Sequence, residues 1–198
     1  MKKILSLLSL CLVVALVSFT SLNNKKIIVI DAGHGGHDNG ATVNELYEKD
    51  IVEQISKKIF EKNDPSKVEI VLLRDTDNFI SLGDRVARIN ELNPDLVISL
   101  HINSNVEKDK SGIEAYVSQI SSNHKKAKEQ AEKLLNAISN DKLQSLGVKQ
   151  ANFMILKKSN CAAITLELGY ISNENDRKYI TSEEGQNEIA ANIIKSIQ

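Results

Sequence analysis

The sequence predicts a single α/β domain: a mostly parallel, twisted sheet with helices on both faces and a site at the carboxyl ends of the strands. Three observations carry that expectation. Short apolar runs alternate along the chain with segments of helical period. The runs are largely continuous rather than alternating, as in strands covered on both faces. The 198 residues contain no internal repeat, no Pro/Gly-rich linker and no low-complexity tract, which suits one domain around one core.

The elements follow in order. Ile27–Ile30 is an apolar run stopped by Gly33, Gly35 and Gly36, as a buried strand would be. From Glu48 to Lys62, Ile51, Val52, Ile55 and Ile59 recur at helical spacing, and Asn63-Asp64-Pro65 ends the helix. Val68–Leu73 is the next strand. Leu82–Leu92 carries Leu82, Val86 and Ile89 on one helical face, and Pro94 introduces the strand Leu96–Leu100. Gly112–Ser118 alternates as a strand. Asn123–Ser139 reads as an exposed, lysine-rich helix with Ala127, Ala131, Leu134, Leu135 and Ile138 facing inward. Phe153–Leu156 and Ala163–Leu168 are read as the last strands, and Glu183–Ile197 as the closing helix.

Residues 1–20 have the layout of an export signal, with Lys2 and Lys3 ahead of an apolar run from Ile4 to Phe19. That run is short of the roughly 20 residues a membrane-spanning helix needs. The nearest cleavage pattern, Ser18-Phe19-Thr20, is poor, so an uncleaved anchor is the alternative. Leu8-Ser9-Leu10-Cys11 does not make a lipoprotein box, because Leu10 is large and Cys11 comes too early. Export to the periplasm or cell envelope is therefore expected, with membrane contact only if the signal is retained.

Without residues 1–20 the chain holds 23 basic and 26 acidic residues, a formal charge of −3. Nothing in that balance advertises a nucleic-acid or anionic-membrane surface. Cys161 is then the one cysteine, so no internal disulfide forms. It lies in an apolar run with nothing nearby to lower its pKa, and reads as a buried small hydrophobe rather than a nucleophile.

Four polar residues stand at informative places. His34 sits between glycines in Asp31-Ala-Gly-His-Gly-Gly, just after the first strand; His101 follows a second strand in Ser99-Leu-His-Ile-Asn103; Glu167 ends a third. Strand ends on one rim let all three converge. Two imidazoles and a carboxylate make a catalytic Zn2+ set with a position left for water, and a further carboxylate can act as base. The third ligand is either Glu45 or Glu48 at the start of a helix; spacing alone does not choose. A carboxylate ending a buried strand is costly unless paired or functional. The competing role for Glu167 is a salt bridge to a lysine, Arg74 or Arg85. His37 could line the site, and His124 reads as a solvated helix residue.

With these residues in view, the chain resembles the zinc-dependent N-acetylmuramoyl-L-alanine amidase family of bacterial cell-wall hydrolases. The resemblance runs from Ile27 to Ile197 and rests on IVIDAGHGGHDNGA, EKDIV, LRDTDNFISLGDRVARINELNPDLVISLHINS, GIEAYVS and ITLELGYISNENDRKYI, in the family's order. It implies a catalytic domain at 26–198, one Zn2+ held by His34, Glu48 and His101, and Glu167 as the catalytic base. It thereby selects Glu48 over Glu45. The implied reaction is hydrolysis of the amide between N-acetylmuramic acid and L-alanine in peptidoglycan, by a monomer. Ala32 and Cys161-Ala162 depart from the family where prolines are usual, which alters local stiffness more than chemistry.

The competing functions are a catalytically inactive peptidoglycan-binding module, which would have lost a ligand or the glutamate, and a zinc peptidase cutting within the stem peptide. Some relatives carry a helical plug over the zinc site after the strand matching Gly112–Ser118. Here Ile120–Asn123 leads straight into the next helix, so an open site is expected. A separate wall-binding module is not expected either.

Overall fold

The computed structural model describes residues 25–198; the signal expected at 1–20 lies outside them. Strands are β1 Lys26–Ala32, β2 Thr42–Val43, β3 Leu46–Tyr47, β4 Val68–Leu72, β5 Leu96–Asn103, β6 Ile113–Val117, β7 Ser145–Gln150 and β8 Ala162–Tyr170. Helices are α1 Glu48–Lys62, α2 Leu82–Leu92, α3 His124–Ile138, α4 Met154–Lys158, α5 Glu174–Ile180 and α6 Glu183–Ile197. None is long and apolar enough to cross a membrane.

Six strands form one sheet in the order β4-β1-β5-β8-β6-β7. The first four are parallel, β6 runs antiparallel to β8, and β7 is parallel to β6. The chain leaves β1 toward one edge through α1 and β4, then returns through α2 to β5 on the other side of β1. That reversal opens a crevice beyond the carboxyl ends of β1 and β5.

The two faces are unequally covered. One packs on α1, α3 and α6, with Ile51, Ile55, Ala131, Leu134, Ile189 and Ile193 in the main core. The other is covered by α2 and the short α4, around Val29, Ile89, Val97, Ile155 and Ala163. Burial of these apolar faces, at roughly 25 cal/mol per Å2, is the main force holding the layers together. Two helices cannot span six strands, so a strip of the second face stays open between them.

The expected elements are present with three differences. Phe153–Leu156 is not a strand: Met154–Lys158 is helical. Four apolar residues fit either period, and here Ile155 and Leu156 point into the α2 side of the core. The last parallel pairing belongs to Ser145–Gln150, an almost wholly exposed edge strand without an apolar signature. Finally, α5 and the β2–β3 hairpin add to the expected set. The hairpin turns through Asn44 and Glu45, with φ of 50° and 63°. Both residues in the left-handed region is the pattern of a type I′ hairpin turn.

Candidate active site

His34 is carried by the loop leaving β1, and its backbone is at φ 58°, a conformation a non-glycine residue rarely holds. Two buried arginines keep it there. Arg85 of α2 donates to the carbonyls of Ala32, His34 and Ile80 and pairs with buried Asp31, which also accepts from Ser99 Oγ at 2.7 Å. Arg74, following β4, donates to the carbonyls of Ala32 (3.0 Å), Gly33 (2.9 Å) and Lys49 (2.9 Å) and pairs with Glu53. Five donors in a rigid fork suit a guanidinium to this clamping. Neither arginine pairs with Glu167.

Glu48 is the first residue of α1 and is buried. Its Oε1 faces His34 Nε2 at 3.1 Å and His101 Nδ1 at 2.9 Å, and accepts from the Ile102 N–H at 3.0 Å. Its Oε2 accepts from the Ala41 N–H at 2.8 Å. The two imidazoles lie nearly perpendicular, with ring centroids 5.1 Å apart. One ligand atom each from His34, Glu48 and His101 lies within 4.8 Å of the others, a spacing that could hold a metal ion. Glu45 is exposed at its hairpin turn and outside this group.

Without a metal ion these groups perturb one another. Burial works against a charged His34, but hydrogen bonding to Glu48 and then Asp38 outweighs it and pushes the imidazole up to about 9. Burial likewise opposes ionised Glu48, yet His101 and His34 hold it well below the carboxylate range. His101 is raised by Glu48 against the effect of its own burial.

His101 lies within β5 and Glu167 within β8, rather than just beyond the strand ends. The two are register partners, so their side chains share the open face. Burial, foremost, raises Glu167 to about 7, and its Oε2 is buried without a hydrogen-bond partner.

Small residues make room. A Cβ at Gly33 would collide with the His101 ring, and one at Gly40 (φ 65°) would sit 2.7 Å from His34 Cδ2 and against Glu48 Oε2. Beside the group runs a cleft of about 530 Å3. Asp31, Ser99 and Thr165 are among its lining residues, with Ile80 and Leu82 on the α2 side and Phe153 and Met154 on the α4 side.

Several contributors escape a reading by motif. Asp38 Oδ2 holds His34 Nδ1 at 2.9 Å, fixing the face the ring turns to Glu48; its spacing of four from His34 was the available signal. Arg74 and Arg85 clamp the loop, but their partners are distant in sequence. His37 is exposed and stacks on Phe79 at 4.2 Å rather than lining the cleft. His124 is half-buried, and its Nδ1 donates to the Ser118 carbonyl at 3.0 Å, so it ties a turn instead of standing in solvent. Cys161 is buried and its thiol is pushed up to about 11 by burial, in keeping with an inert core residue.

The chain is similar to several known proteins. YqiI of Bacillus subtilis (strain 168) is 33% identical over 87% of this chain and 83% of its own length. The N-acetylmuramoyl-L-alanine amidase LytC of the same organism is 35% identical over 75% of this chain, which spans 30% of LytC. The crystal structure of the N-acetylmuramoyl-L-alanine amidase from Clostridium difficile 630 superposes with a TM-score of 0.81 at 30% identity, covering 88% of this chain and 96% of that one. The family model for N-acetylmuramoyl-L-alanine amidase matches residues 28–198, almost all of the described fold and every residue of the site. On that match, the chain belongs to the N-acetylmuramoyl-L-alanine amidase family.

Proposed function

We propose that the protein is a zinc-dependent hydrolase that cuts the amide between the lactyl group of N-acetylmuramic acid and L-alanine of the peptidoglycan stem. His34, Glu48 and His101 would hold the ion, with Glu167 as the base. The observation that carries this reading is the orphaned Glu167 Oε2, buried on the sheet face it shares with His101, one member of a two-imidazole, one-carboxylate set. The residues fit the metal: the donor set suits Zn2+, and glycines leave the space around it.

When bound, the ion would polarise the scissile carbonyl and lower the pKa of water at the site. The protein groups then divide the remaining work. Glu48 is aimed by the Ala41 and Ile102 N–H groups, and His34 by Asp38. Glu167, with one oxygen free of partners, takes the proton of the attacking water and passes it to the leaving amine of L-alanine. The water oxygen bonds to the lactyl carbonyl carbon as the C–N bond breaks. The products are a muramic acid carboxylate and a stem peptide with a free L-alanine amino group.

Peptidoglycan as substrate implies action outside the cytoplasmic membrane, which the signal-like residues 1–20 support. The site is complete within one chain, which supports a monomer. Between β6 and α3 the chain has only residues 118–123, which supports an open cleft. The test is digestion of purified peptidoglycan with and without a chelator, followed by mass spectrometry. Intact stem peptides beginning with L-alanine, lost on chelation and restored by Zn2+, are expected. Fragments cut within the stem, or release that ignores the chelator, would overturn the reading.

A further inference from the structure

The cleft beside Glu167 has an uneven chemistry. Its outer edges are apolar and exposed on two facing elements: Phe79 (46%) and Leu82 (56%) at the start of α2, Phe153 (47%) and Met154 (38%) at the start of α4. Large apolar side chains left in water beside a catalytic group mark a binding surface rather than a core. Both edges are held in place before any ligand arrives. Phe79 stacks on His37 at 4.2 Å, and Phe153 lies 5.4 Å from the Tyr116 ring at an angle of 49°.

The charge of the cleft is equally informative. Apart from the metal-site imidazoles, the one cation in the lining is Arg85. Its donors are taken up by Asp31 and by the carbonyls of Ala32, His34 and Ile80. Away from the proposed metal site, no lining group among the described residues is left to neutralise a carboxylate, and burying an unpaired carboxylate there would be costly. The scissile amide has two unlike sides. The stem peptide carries free carboxylates. The muramoyl side carries a sugar ring with C–H faces, an N-acetyl methyl and a lactyl methyl, which pack on aromatic and aliphatic surfaces.

We propose that the apolar edges formed by Phe79, Leu82, Phe153 and Met154 receive the muramoyl unit, and that the stem peptide leaves the site away from this cleft. The inference rests on the amidase reading given above and adds an orientation to it. The sugar would sit between the two edges, its lactyl carbonyl beside Glu167. These four side chains would then set specificity for a glycan-linked peptide over a free one.

The test compares two substrates with the same peptide, one bearing N-acetylmuramoyl and the other only an O-methyl-lactoyl group. In the zinc-loaded full chain, Phe153→Ala and Leu82→Ala are expected to lower the ratio of kcat/KM for the muramoyl over the lactoyl substrate about tenfold each, mainly through KM. Phe153→Tyr should restore the ratio. An unchanged ratio, with both substrates losing equally or not at all, overturns the proposal. Should an alanine variant fail to fold, titration of the N-methylamide of N-acetylmuramic acid, which carries no carboxylate, into Glu167→Gln decides instead. NMR shifts at Phe153 and Met154 are expected, and their absence overturns the proposal. A wild-type enzyme that cleaves neither substrate refutes the amidase reading and this orientation with it, a result distinct from an unchanged ratio.

Discussion

Glu114 is the register partner of Glu167 across β6 and β8, and the two carboxylates have opposite surroundings. Glu114 is buried and fully engaged: Oε1 accepts from Asn103 Nδ2 and the Tyr116 hydroxyl, each at 2.8 Å, and Oε2 pairs with Lys149. Glu167 is left with a bare oxygen, and after burial itself, the charges of Glu48 and Glu114 add to the rise in its pKa. One glutamate is tied down as structure, while its neighbour keeps an oxygen without a partner.

That contrast gives a pH-dependent prediction. The ordinary Glu value is 4.5 and the folded value about 7, so between them the folded chain keeps a proton that the unfolded chain has lost. Glu167 therefore disfavours folding least below its unfolded value and most above the folded one. In metal-free protein, Glu167→Gln should gain stability relative to wild type as pH rises from 5 to 8, by about 1–3 kcal/mol. Thermal unfolding in chelator at the two pH values measures this; a gap that does not change with pH would contradict it. In zinc-loaded protein the same variant should keep its zinc and lose about 10²–10⁴-fold in turnover.

The proposed ligand residues should separate from the proposed base in the opposite way. His34→Ala and His101→Ala each remove one imidazole from the group, and zinc content by mass spectrometry should fall well below one ion per chain. Chelation of wild type should abolish turnover, and added Zn2+ should restore it to wild type but not to either variant at equal metal concentration. Full zinc occupancy in either alanine variant would show that the ion sits elsewhere.

Much of this arrangement was legible in the sequence, and the parts that were not share a cause. Continuous apolar runs such as Ile27–Ile30 and Leu96–Leu100 reveal buried strands because both sheet faces are covered there. Phe153–Leu156 misleads because a run that short fits two periods, and Ser145–Gln150 is silent because an exposed edge strand needs no apolar face. His34 stands out between glycines, and His101 and Glu167 because a polar residue closing an apolar run is costly to bury unless it is paired or used. In Ile113-Glu-Ala-Tyr-Val117 the alternation shows a strand but not that Glu114 is buried. Its partners Asn103 and Lys149 lie on other strands, which sequence spacing cannot bring together. The clamping of the His34 loop by Arg74 and Arg85 is hidden for the same reason.

The Arg85 clamp carries a stability prediction. Replacing it by alanine strands Asp31 as a buried carboxylate without an ion partner and frees the carbonyls of His34 and Ile80, while that of Ala32 keeps its bond from Arg74. Loss of one partner from a buried pair typically costs about 3–5 kcal/mol, and denaturant unfolding should show a loss of that size for Arg85→Ala. Asp31→Asn in the same background should recover part of it, because the stranded charge is gone. A loss below about 1 kcal/mol would mark the pair as dispensable.

Gly33 and Asp38 test the surroundings of the proposed metal site without replacing a proposed ligand. A Cβ at Gly33 overlaps the His101 ring, so Gly33→Ala must tilt that imidazole away from Glu48. Asp38→Asn keeps the shape of the partner of His34 Nδ1 but removes its charge, which lowers the basicity of the nitrogen on the far side of the ring. Partners of this kind are worth about 10–100-fold in metal affinity. Both variants should therefore bind Zn2+ more weakly by about that factor in competition with a chelator dye. At saturating Zn2+ the two should diverge. Asp38→Asn leaves every ligand in place and should recover most of its turnover. Gly33→Ala has moved a ligand that is register-paired with Glu167, so its turnover should stay low however much zinc is supplied. Equal recovery of both would mean that His101 tolerates displacement and that the glycine serves only the turn.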